Sequence, residues 1–264
     1  MTDGGMSGDE GRLSDPARDR RAAFGERALP VEIVTAPTPF PPPRARERAS
    51  SYGSVIDGRA GSPSPALTIV ALGDSTTAGT PGFRSPLEAP PDGVGDVTSQ
   101  FTWWLTRAEP TWRVLNRGVN GERTDEIAAR FERDVLAHGP DVLILLAGVN
   151  DVYQGRDVAT VQAQLLAIYA RARDARLPIV ACSIVPYNTA TPDQNSRMHT
   201  INAWLRDRAS STPGMAYCDT RTAVASRDDI DRLFETPDGL HPSPAGYRRM
   251  AEALVPIVGD LVLA

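Results

Sequence analysis

Short apolar runs alternate with amphipathic stretches from Ala66 to the end of the chain. The runs are bounded by turn residues and several are rich in β-branched side chains, so each predicts a buried strand. The predicted strands are Leu67–Leu72, Trp112–Leu115, Val142–Ala147, Ile179–Ile184 and Met215–Cys218. Because the runs are apolar throughout rather than alternating, they indicate a sheet that helices cover on both faces. The pattern therefore predicts a three-layer α/β/α sandwich with a mostly parallel, five-stranded central sheet.

The clearest helical pattern covers about Asp157–Arg176. Its apolar residues recur at three- and four-residue spacing and form one stripe, which contains Val158, Val161, Leu165, Ile168, Tyr169 and Ala172. Asp157 is predicted to be the N-cap of this helix. Ser243 and Pro244 predict a further helix start, as an N-cap followed by a first helical position.

The first 65 residues have a different composition, in which Gly, Pro, Ser, Arg and Asp predominate. The run Pro37–Pro43 is incompatible with helix and with a central strand. We therefore predict that residues 1–65 form a largely disordered or loosely packed extension and that residues 66–264 form one domain. Within the extension, Val31–Thr35 has strand character; it either adds to a sheet edge or remains an isolated extended stretch.

Charge and hydropathy exclude several classes of partner. A formal net charge of -5 gives no electrostatic reason to expect nucleic acid. No apolar run approaches the roughly 20 residues of a membrane span, and the N-terminus lacks the apolar region of a secretory signal, so we expect a cytoplasmic protein. Cys182 and Cys218 lie in predicted strands and are expected to be buried, reduced thiols.

Polar segments follow the predicted strands at the end where an open parallel sheet binds its ligands. Gly73–Thr76, Asn116–Gly121 and Gly148–Asp151 follow the first three strands, and Asp238–Pro242 is assigned to the fifth. Ser75 falls at a helix start, where backbone N–H groups and the helix dipole stabilise a developing oxyanion. A Gly-Asp-Ser turn alone is explained by backbone preference, so the assignment of Ser75 as nucleophile depends on the other segments.

Asp238 and His241 are three residues apart, a spacing at which a turn brings the carboxylate onto the imidazole Nδ1–H. Pro242 restricts His241 to an extended conformation. Histidine has an unperturbed pKa of about 6.5, which suits a general acid and base near neutral pH. We therefore predict a Ser75, His241 and Asp238 triad for acyl transfer.

Two further residues are predicted to donate hydrogen bonds to the oxyanion. They are Asn150, through its side-chain amide, and Gly121, through its backbone N–H; each also has an explanation as a turn residue. His138 and His199 lack partners at metal-ligand spacing and are assigned to helices. No metal and no cofactor are predicted.

These segments together resemble the GDSL or SGNH hydrolase family, whose four blocks carry Ser, Gly, Asn and His. The resemblance covers Leu67 to the C-terminus and implies a flavodoxin-like, SGNH-type hydrolase domain. By motif, it implies Ser75 as nucleophile, Gly121 and Asn150 as oxyanion donors with the Ser75 N–H, and Asp238 with His241 as the closing Asp-x-x-His pair. Two positions depart from the family pattern: Thr76 replaces the usual leucine, and Asn120 stands where a small residue is common.

Substrate contacts are predicted near these motifs. Asp74, Asn120 and Tyr153 are candidates, and Arg156 is a further candidate for the leaving group. The segment Thr80–Asp96 is predicted either to line an acyl pocket or to form an exposed connection. Of the adjacent residues Trp103 and Trp104, at least one is expected in the core because neighbours on a helix face different ways.

The predicted substrate is a small-molecule carboxylic ester with a short acyl chain. Three alternatives remain open: a carbohydrate O-acetylesterase, a thioesterase or lysophospholipase, and a binding module without catalysis. The binding module is disfavoured because every reacting group is retained.

Overall fold

The structure is a computed structural model that describes residues 67–263 and Met1. All five strands predicted from the apolar runs are present, with ends shifted by up to three residues. The strands are β1 Leu67–Gly73, β2 Phe83–Arg84, β3 Val94–Gly95, β4 Trp112–Gly118, β5 Val142–Leu146, β6 Ile179–Cys182 and β7 Met215–Cys218. The predictions for residues 1–65, including the strand Val31–Thr35 and the run Pro37–Pro43, lie outside the described residues.

Helices occupy the connections between the strands. They are α1 Ser75–Ala78, α2 Phe101–Ala108, α3 Thr124–Ala129, α4 Phe131–Asp134, α5 Val149–Tyr153, α6 Val158–Asp174, α7 Pro192–Ser211, α8 Thr220–Val224 and α9 Pro244–Leu263. Short 3-10 turns cover Val97–Ser99 and Leu136–His138. No helix within residues 67–263 combines the length and the apolar character needed to cross a membrane.

The main sheet has five parallel strands in the order β4-β1-β5-β6-β7. This is the flavodoxin-like order, in which the second strand of the sheet, β4, lies on one side of β1 and the three later strands lie on the other side. Gly73, the last residue of β1, lies between Gly118 of β4 and Leu146 of β5. The predicted sandwich is therefore confirmed, and the ends of β1, β4 and β5 meet at one edge of the sheet.

Alternate residues of β1 enter two separate apolar layers. Val70 and Leu72 pack with residues of α3, α6 and α7 on one face of the sheet. Ile69 and Ala71 pack with residues of α2 and α9 on the other face. Burial of both faces explains why a central strand such as β5, all five of whose residues are buried, is continuously apolar.

Helix α6 forms as its pattern predicts. The side chain of Asp157 accepts a hydrogen bond from the Thr160 N–H at 2.8 Å and caps the helix. The stripe faces the core, with five of its six members buried: Val161, Leu165, Ile168, Tyr169 and Ala172. The predicted start of α9 is also present at Pro244, where Ser243 Oγ accepts a hydrogen bond from Gly246 N–H.

The hairpin of β2 and β3 is an element that the sequence pattern did not predict. Its strands pair antiparallel, with Phe83 opposite Gly95. Ser85 Oγ donates a 2.6 Å hydrogen bond to the Gly118 carbonyl, and Glu88 Oε1 accepts from the Asn120 N–H at 2.9 Å. The segment Thr80–Asp96 therefore packs against the end of β4.

Cys182 and Cys218 are buried, free thiols that face each other across β6 and β7, as predicted.

Candidate active site

Ser75 is the first residue of α1, directly after β1. Asp74 caps this helix, because its Oδ1 accepts a 3.0 Å hydrogen bond from the Thr76 N–H. A side chain at position 73 would clash, since a Cβ there would lie 2.2 Å from Thr77 Oγ1 and 2.3 Å from the Leu146 carbonyl oxygen. The Gly-Asp-Ser sequence thus lets α1 start close against β5, with the Ser75 side chain at the sheet edge.

The segment before α9 brings a histidine onto this serine. His241 Nε2 lies 2.9 Å from Ser75 Oγ, and His241 Nδ1 lies 2.7 Å from Asp238 Oδ2. Asp238 Oδ1 accepts 2.9 Å hydrogen bonds from the N–H groups of Leu240 and His241. The turn itself passes through Gly239, whose φ of 79° is left-handed. Side chains from two segments that are distant in sequence therefore form one continuous hydrogen-bonded line.

The placement of Asp238 along the chain corrects the sequence assignment. The segment Asp238–Pro242 does not directly follow the fifth strand, because α8 and a loop that includes Leu233 separate it from β7. It directly precedes α9 instead. The pattern of apolar runs could not distinguish these arrangements because the intervening loop lacks periodicity.

The electrostatics of Asp238 favour its charged form. Burial opposes ionisation, but hydrogen bonds from His241 Nδ1 and from the N–H groups of Leu240 and His241 outweigh it, so the pKa of Asp238 lies below its ordinary value. An ionised Asp238 accepts a hydrogen bond from Nδ1–H, and in this tautomer the Nε2 lone pair of the imidazole is directed at Ser75. In this tautomer His241 can take the hydroxyl proton.

Asn150, in the first turn of α5, is hydrogen-bonded to the loop that carries Gly121. Asn150 Nδ2 donates a 2.9 Å hydrogen bond to the carbonyl of Glu122, which leaves one amide hydrogen for another acceptor. Gly121 has a φ of 80°, a conformation that favours glycine. Within residues 67–263, the N–H groups of Gly121 and Ser75 have no hydrogen-bond acceptor.

Arg130 hydrogen-bonds both the end of β1 and the loop that carries Gly121, a role that the sequence analysis did not predict. The residue is 6% exposed; its Nη2 donates to the Gly73 carbonyl at 2.7 Å, and its Nε donates to Glu122 Oε2 at 2.6 Å. One buried guanidinium thus joins the end of β1 to the residue after Gly121. Arg130 lies in the turn between α3 and α4, without an adjacent motif, so the sequence gave no signal of this contact.

A pocket of about 180 Å³ opens beside Ser75 and His241. We call it the Ser75 pocket; it is lined by Ser75, Thr76, Asn120, Val149, Asn150, Tyr153, Tyr187, Leu240 and His241. The substrate candidates Asn120 and Tyr153 are among these residues, whereas Gly121 lies next to the lining at Asn120. Tyr187 and Leu240 were not predicted. The available signal for Tyr187 was its place in the loop after β6, at the same edge of the sheet as the motifs.

Asp74, a predicted substrate contact, is not among the residues that line this pocket. It is 1% exposed, and its Oδ2 has no hydrogen-bond partner among the described residues. Burial raises the pKa of Asp74 to about 7, with a smaller contribution from the charge of Asp151 and against the hydrogen bond from the Thr76 N–H. Burial also raises the pKa of Asp151, which accepts hydrogen bonds from the Thr124 N–H and hydroxyl. Two buried carboxyl groups, those of Asp74 and Asp151, are therefore close enough for their charges to interact.

Other predicted substrate contacts are absent from the pocket lining. Arg156 pairs with Asp125 at 2.9 Å, so its charge is already engaged. Trp103 and Trp104 make an edge-to-face contact on α2 and both are half-buried. The segment Thr80–Asp96 contributes no lining residue, and its Phe83 is only 4% exposed and lies against Gly93 of the same segment.

The loop that carries Tyr187 is bonded to the histidine segment. The Asn188 N–H donates a 2.7 Å hydrogen bond to the Gly239 carbonyl, and Asn188 Oδ1 accepts from the Leu233 N–H at 2.8 Å. The loop that forms the Tyr187 side of the Ser75 pocket and the turn that holds His241 are therefore joined by a backbone hydrogen bond.

His138 and His199 lie in the 3-10 turn Leu136–His138 and in α7, as predicted, and each contacts another side chain. His138 Nε2 lies 2.9 Å from an Arg117 nitrogen, and His199 Nε2 lies 2.6 Å from Asp231 Oδ1. In the part of the chain that the structure describes, no cluster of three His, Cys, Asp or Glu side chains could hold a metal ion.

Comparisons with known proteins agree with this architecture. The model of the GDSL-like Lipase/Acylhydrolase family matches residues 71–249. An acetylxylan esterase from Geobacillus stearothermophilus is 25% identical over 162 residues, which cover 56% of this chain and 72% of that protein.

Two solved structures show the same fold. A member of the lipolytic protein G-D-S-L family from Veillonella parvula superposes with a TM-score of 0.60 at 18% identity, over 74% of this chain and 99% of the other. A catalytic mutant of an acetylxylan esterase from Geobacillus stearothermophilus gives a TM-score of 0.57 at 23% identity, over 74% and 94% of the two chains.

Proposed function

The chain belongs to the GDSL-like lipase/acylhydrolase family, and we propose that it is a serine esterase that hydrolyses short-chain carboxylic esters through an acyl-enzyme. The observation that carries this proposal is the line of hydrogen bonds from Asp238 through His241 to Ser75, at 2.7 and 2.9 Å. This is the arrangement in which an imidazole activates a hydroxyl for attack.

The reaction begins when Ser75 Oγ attacks the ester carbonyl and His241 Nε2 takes the hydroxyl proton. The resulting oxyanion accepts hydrogen bonds from the N–H groups of Ser75 and Gly121 and from the free amide hydrogen of Asn150. His241 then returns the proton to the leaving alcohol as the carbon–oxygen bond breaks. A water molecule, deprotonated by His241, then attacks the acyl-enzyme carbonyl; the bond to Ser75 Oγ breaks, His241 returns the proton to Ser75, and the acid is released. Asp238 stabilises the imidazolium in both steps.

The size of the Ser75 pocket supports a short acyl chain. Its volume of about 180 Å³ is below the range of roughly 300–1,000 Å³ typical of pockets for drug-sized ligands. A lysophospholipase or a long-chain thioesterase must accommodate a much larger acyl group. We therefore expect turnover to decrease from acetate to longer acyl esters.

The first experiment compares Ser75→Ala with the wild type on p-nitrophenyl acetate. Ser75→Ala should lower kcat by a factor on the order of 10⁶, the scale observed when a triad serine is removed, and should abolish labelling by a fluorophosphonate probe. The matched control is Ser210→Ala, at an exposed serine of α7. Wild-type turnover by Ser75→Ala would refute the proposal.

Asn150→Ala provides an independent measurement of the oxyanion donors. Loss of one such donor typically costs about 2.7 to 4 kcal/mol, so kcat should fall by about 10² to 10³ and residual turnover should remain. If kcat is unchanged while KM rises, Asn150 binds the ground state instead of the oxyanion.

Carbohydrate O-acetylesterase activity is a second candidate. The observation that favours it is the 25% identity to an acetylxylan esterase, and the same reacting groups would serve it. Acetylated xylo-oligosaccharides and p-nitrophenyl esters of increasing chain length distinguish the two activities: the candidate requires a higher kcat/KM on the sugar ester.

A further inference from the structure

The guanidinium of Arg130 bonds the segments on which the proposed oxyanion donors lie. Its Nε donates to Glu122 Oε2 at 2.6 Å, and its Nη2 donates to the Gly73 carbonyl at 2.7 Å. Its Nη1 donates to the Arg117 carbonyl at 2.8 Å and to Asp134 Oδ2 at 3.1 Å. Four hydrogen bonds from a group with five N–H donors leave this side chain little freedom to move.

Glu122 connects this guanidinium to Asn150. The carboxylate of Glu122 accepts the bond from Arg130, and the backbone carbonyl of the same residue accepts a 2.9 Å hydrogen bond from Asn150 Nδ2. An amide nitrogen carries two hydrogens in one plane, so fixing the direction of one hydrogen also fixes the direction of the other. The position of Glu122 therefore determines where the free amide hydrogen of Asn150 points.

Few other contacts within residues 67–263 hold Glu122 in place. Its N–H reaches the Val119 carbonyl only at 3.5 Å. At Gly121, the preceding residue, a Cβ would meet no described atom within 4 Å, so little packing restrains the chain there. The contact with Arg130 is shorter, at 2.6 Å, and its guanidinium is buried. This ion pair is therefore the main restraint on the carbonyl that orients Asn150.

Stability alone does not explain why an ion pair is buried here. Arg130 pairs with Glu122 and also with Asp134, whose side chain is 3% exposed. Removing such charges from water costs free energy that roughly offsets their attraction, so apolar residues of similar volume would stabilise the fold as well. What the planar guanidinium adds is fixed geometry. Donors that are already fixed stabilise an oxyanion without reorganising during the reaction.

We propose that Arg130 is a positioning residue that acts through Glu122 to hold the Asn150 amide in the orientation that stabilises the oxyanion. This inference rests on the proposed esterase function and adds a residue that acts on the reaction from outside the pocket lining. The oxyanion does not exist in the bound substrate. Loss of the positioning should therefore lower kcat and leave KM nearly unchanged.

The test is a double-mutant cycle between Glu122→Ala and Asn150→Ala, measured on p-nitrophenyl acetate. Glu122→Ala removes the carboxylate that Arg130 bonds and keeps the carbonyl that Asn150 bonds. With Asn150 present, it should lower kcat by about tenfold, a part of the about 10² to 10³ that loss of a whole donor costs. In the Asn150→Ala background, the same change should leave kcat within about twofold.

The matched control is Glu132→Ala, which removes an exposed carboxylate from the neighbouring helix α4. It should leave kcat and KM unchanged in both backgrounds. Arg130→Lys is a second variant that keeps the charge but lacks the planar fork, so it should also lower kcat more than it raises KM. Because the Glu122 side chain is 21% exposed, Glu122→Ala should unfold within about 4 °C of the wild type. The cycle therefore decides the question even if Arg130→Lys does not fold.

The outcomes separate this inference from the esterase proposal. A loss of kcat that disappears in the Asn150→Ala background supports the positioning role. An equal loss in both backgrounds would show that Glu122 supports the fold in general and would overturn it. An unchanged kcat in Glu122→Ala would overturn it too, and in both cases the esterase function stands. Only wild-type turnover by Ser75→Ala would refute the esterase proposal itself.

Discussion

Asp74, the residue before the nucleophile, combines deep burial with a carboxylate oxygen that has no hydrogen-bond partner within residues 67–263. Its pKa of about 7 in the folded protein lies above the ordinary value of 3.8. The folded state therefore binds this proton more tightly than the unfolded state does. Protonated Asp74 makes its full contribution to the free energy of unfolding below about pH 4. This contribution is lost as the pH rises through the folded pKa of about 7.

Asp74→Asn tests this linkage. Asparagine keeps an oxygen to accept the Thr76 N–H and carries no charge, so the variant should gain thermal stability relative to the wild type between pH 5 and pH 8. The measurement is the difference in Tm between the two proteins at each pH. Asp228→Asn, at an exposed position, serves as the control. A Tm difference that is the same at both pH values would show that Asp74 titrates normally.

Individual site residues differed in how far the sequence could predict them. Ser75, Asp238 and His241 were selected because each stands in a short motif of turn residues whose chemistry is specific. Tyr187 and Arg130 had no such motif, and their contacts depend on residues far away in sequence. The burial of Asp74 was also inaccessible, because it depends on how tightly α1 approaches the sheet.

At the scale of elements, α1 depends on a close contact with β4. A Cβ on Gly118, the last residue of β4, would lie 2.1 Å from the Ala78 backbone nitrogen and 2.6 Å from the Ala78 Cα. Both atoms are backbone and cannot rotate away. Glycine at position 118 therefore permits α1, which begins at Ser75, to pack this closely against the sheet.

Gly118→Ala should displace α1 and lower both stability and turnover. Overpacking of this kind costs about 1–3 kcal/mol, and even a small shift of the nucleophile reduces kcat. The control is Gly259→Ala within α9, where a Cβ meets no atom within 4 Å. This control should raise the free energy of unfolding by up to about 1 kcal/mol because alanine favours helix. Urea unfolding and esterase kinetics measure both effects; wild-type kinetics in Gly118→Ala would contradict the expectation.

The elements themselves were predictable where their patterns were long. The five strands follow from mostly apolar runs of four to six residues, and α6 follows from a stripe over several turns. The hairpin of β2 and β3 was missed because each strand has only two residues, too short for any period. Its position depends on tertiary hydrogen bonds from Ser85 and Glu88, which no local pattern encodes.

At the scale of the whole molecule, the strand order determines which loops meet. Because β1 lies between β4 and β5, the segments after these three strands share one edge although about 75 residues separate Ser75 from Asn150 in the chain. Sequence order alone would have put the loop after β4 between the other two. The family resemblance supplied this topology, and the pattern of apolar runs supplied only the strand count.

The layered domain should function without the preceding extension. Residues 67–263 contain both apolar layers and every residue of the Ser75 pocket. A chain that begins at Pro65 is therefore expected to match the full chain within about twofold in kcat/KM for p-nitrophenyl acetate, a difference of less than 1 kcal/mol. Faster turnover by the shorter chain would show that the extension restricts access to the site, and loss of cooperative unfolding would show that the domain boundary is wrong.

The bond between Asn188 and Gly239 has a consequence for the evolution of new substrate ranges. Substitutions in the loop after β6, which carries Tyr187, change the shape of the pocket. Through this bond they also displace the turn that positions the His241 imidazole next to Ser75. Selection for an altered specificity should therefore initially slow the chemical step. Lineages in which kcat is restored are expected to carry additional substitutions at positions 188, 233 or 239, where hydrogen bonds join the two loops.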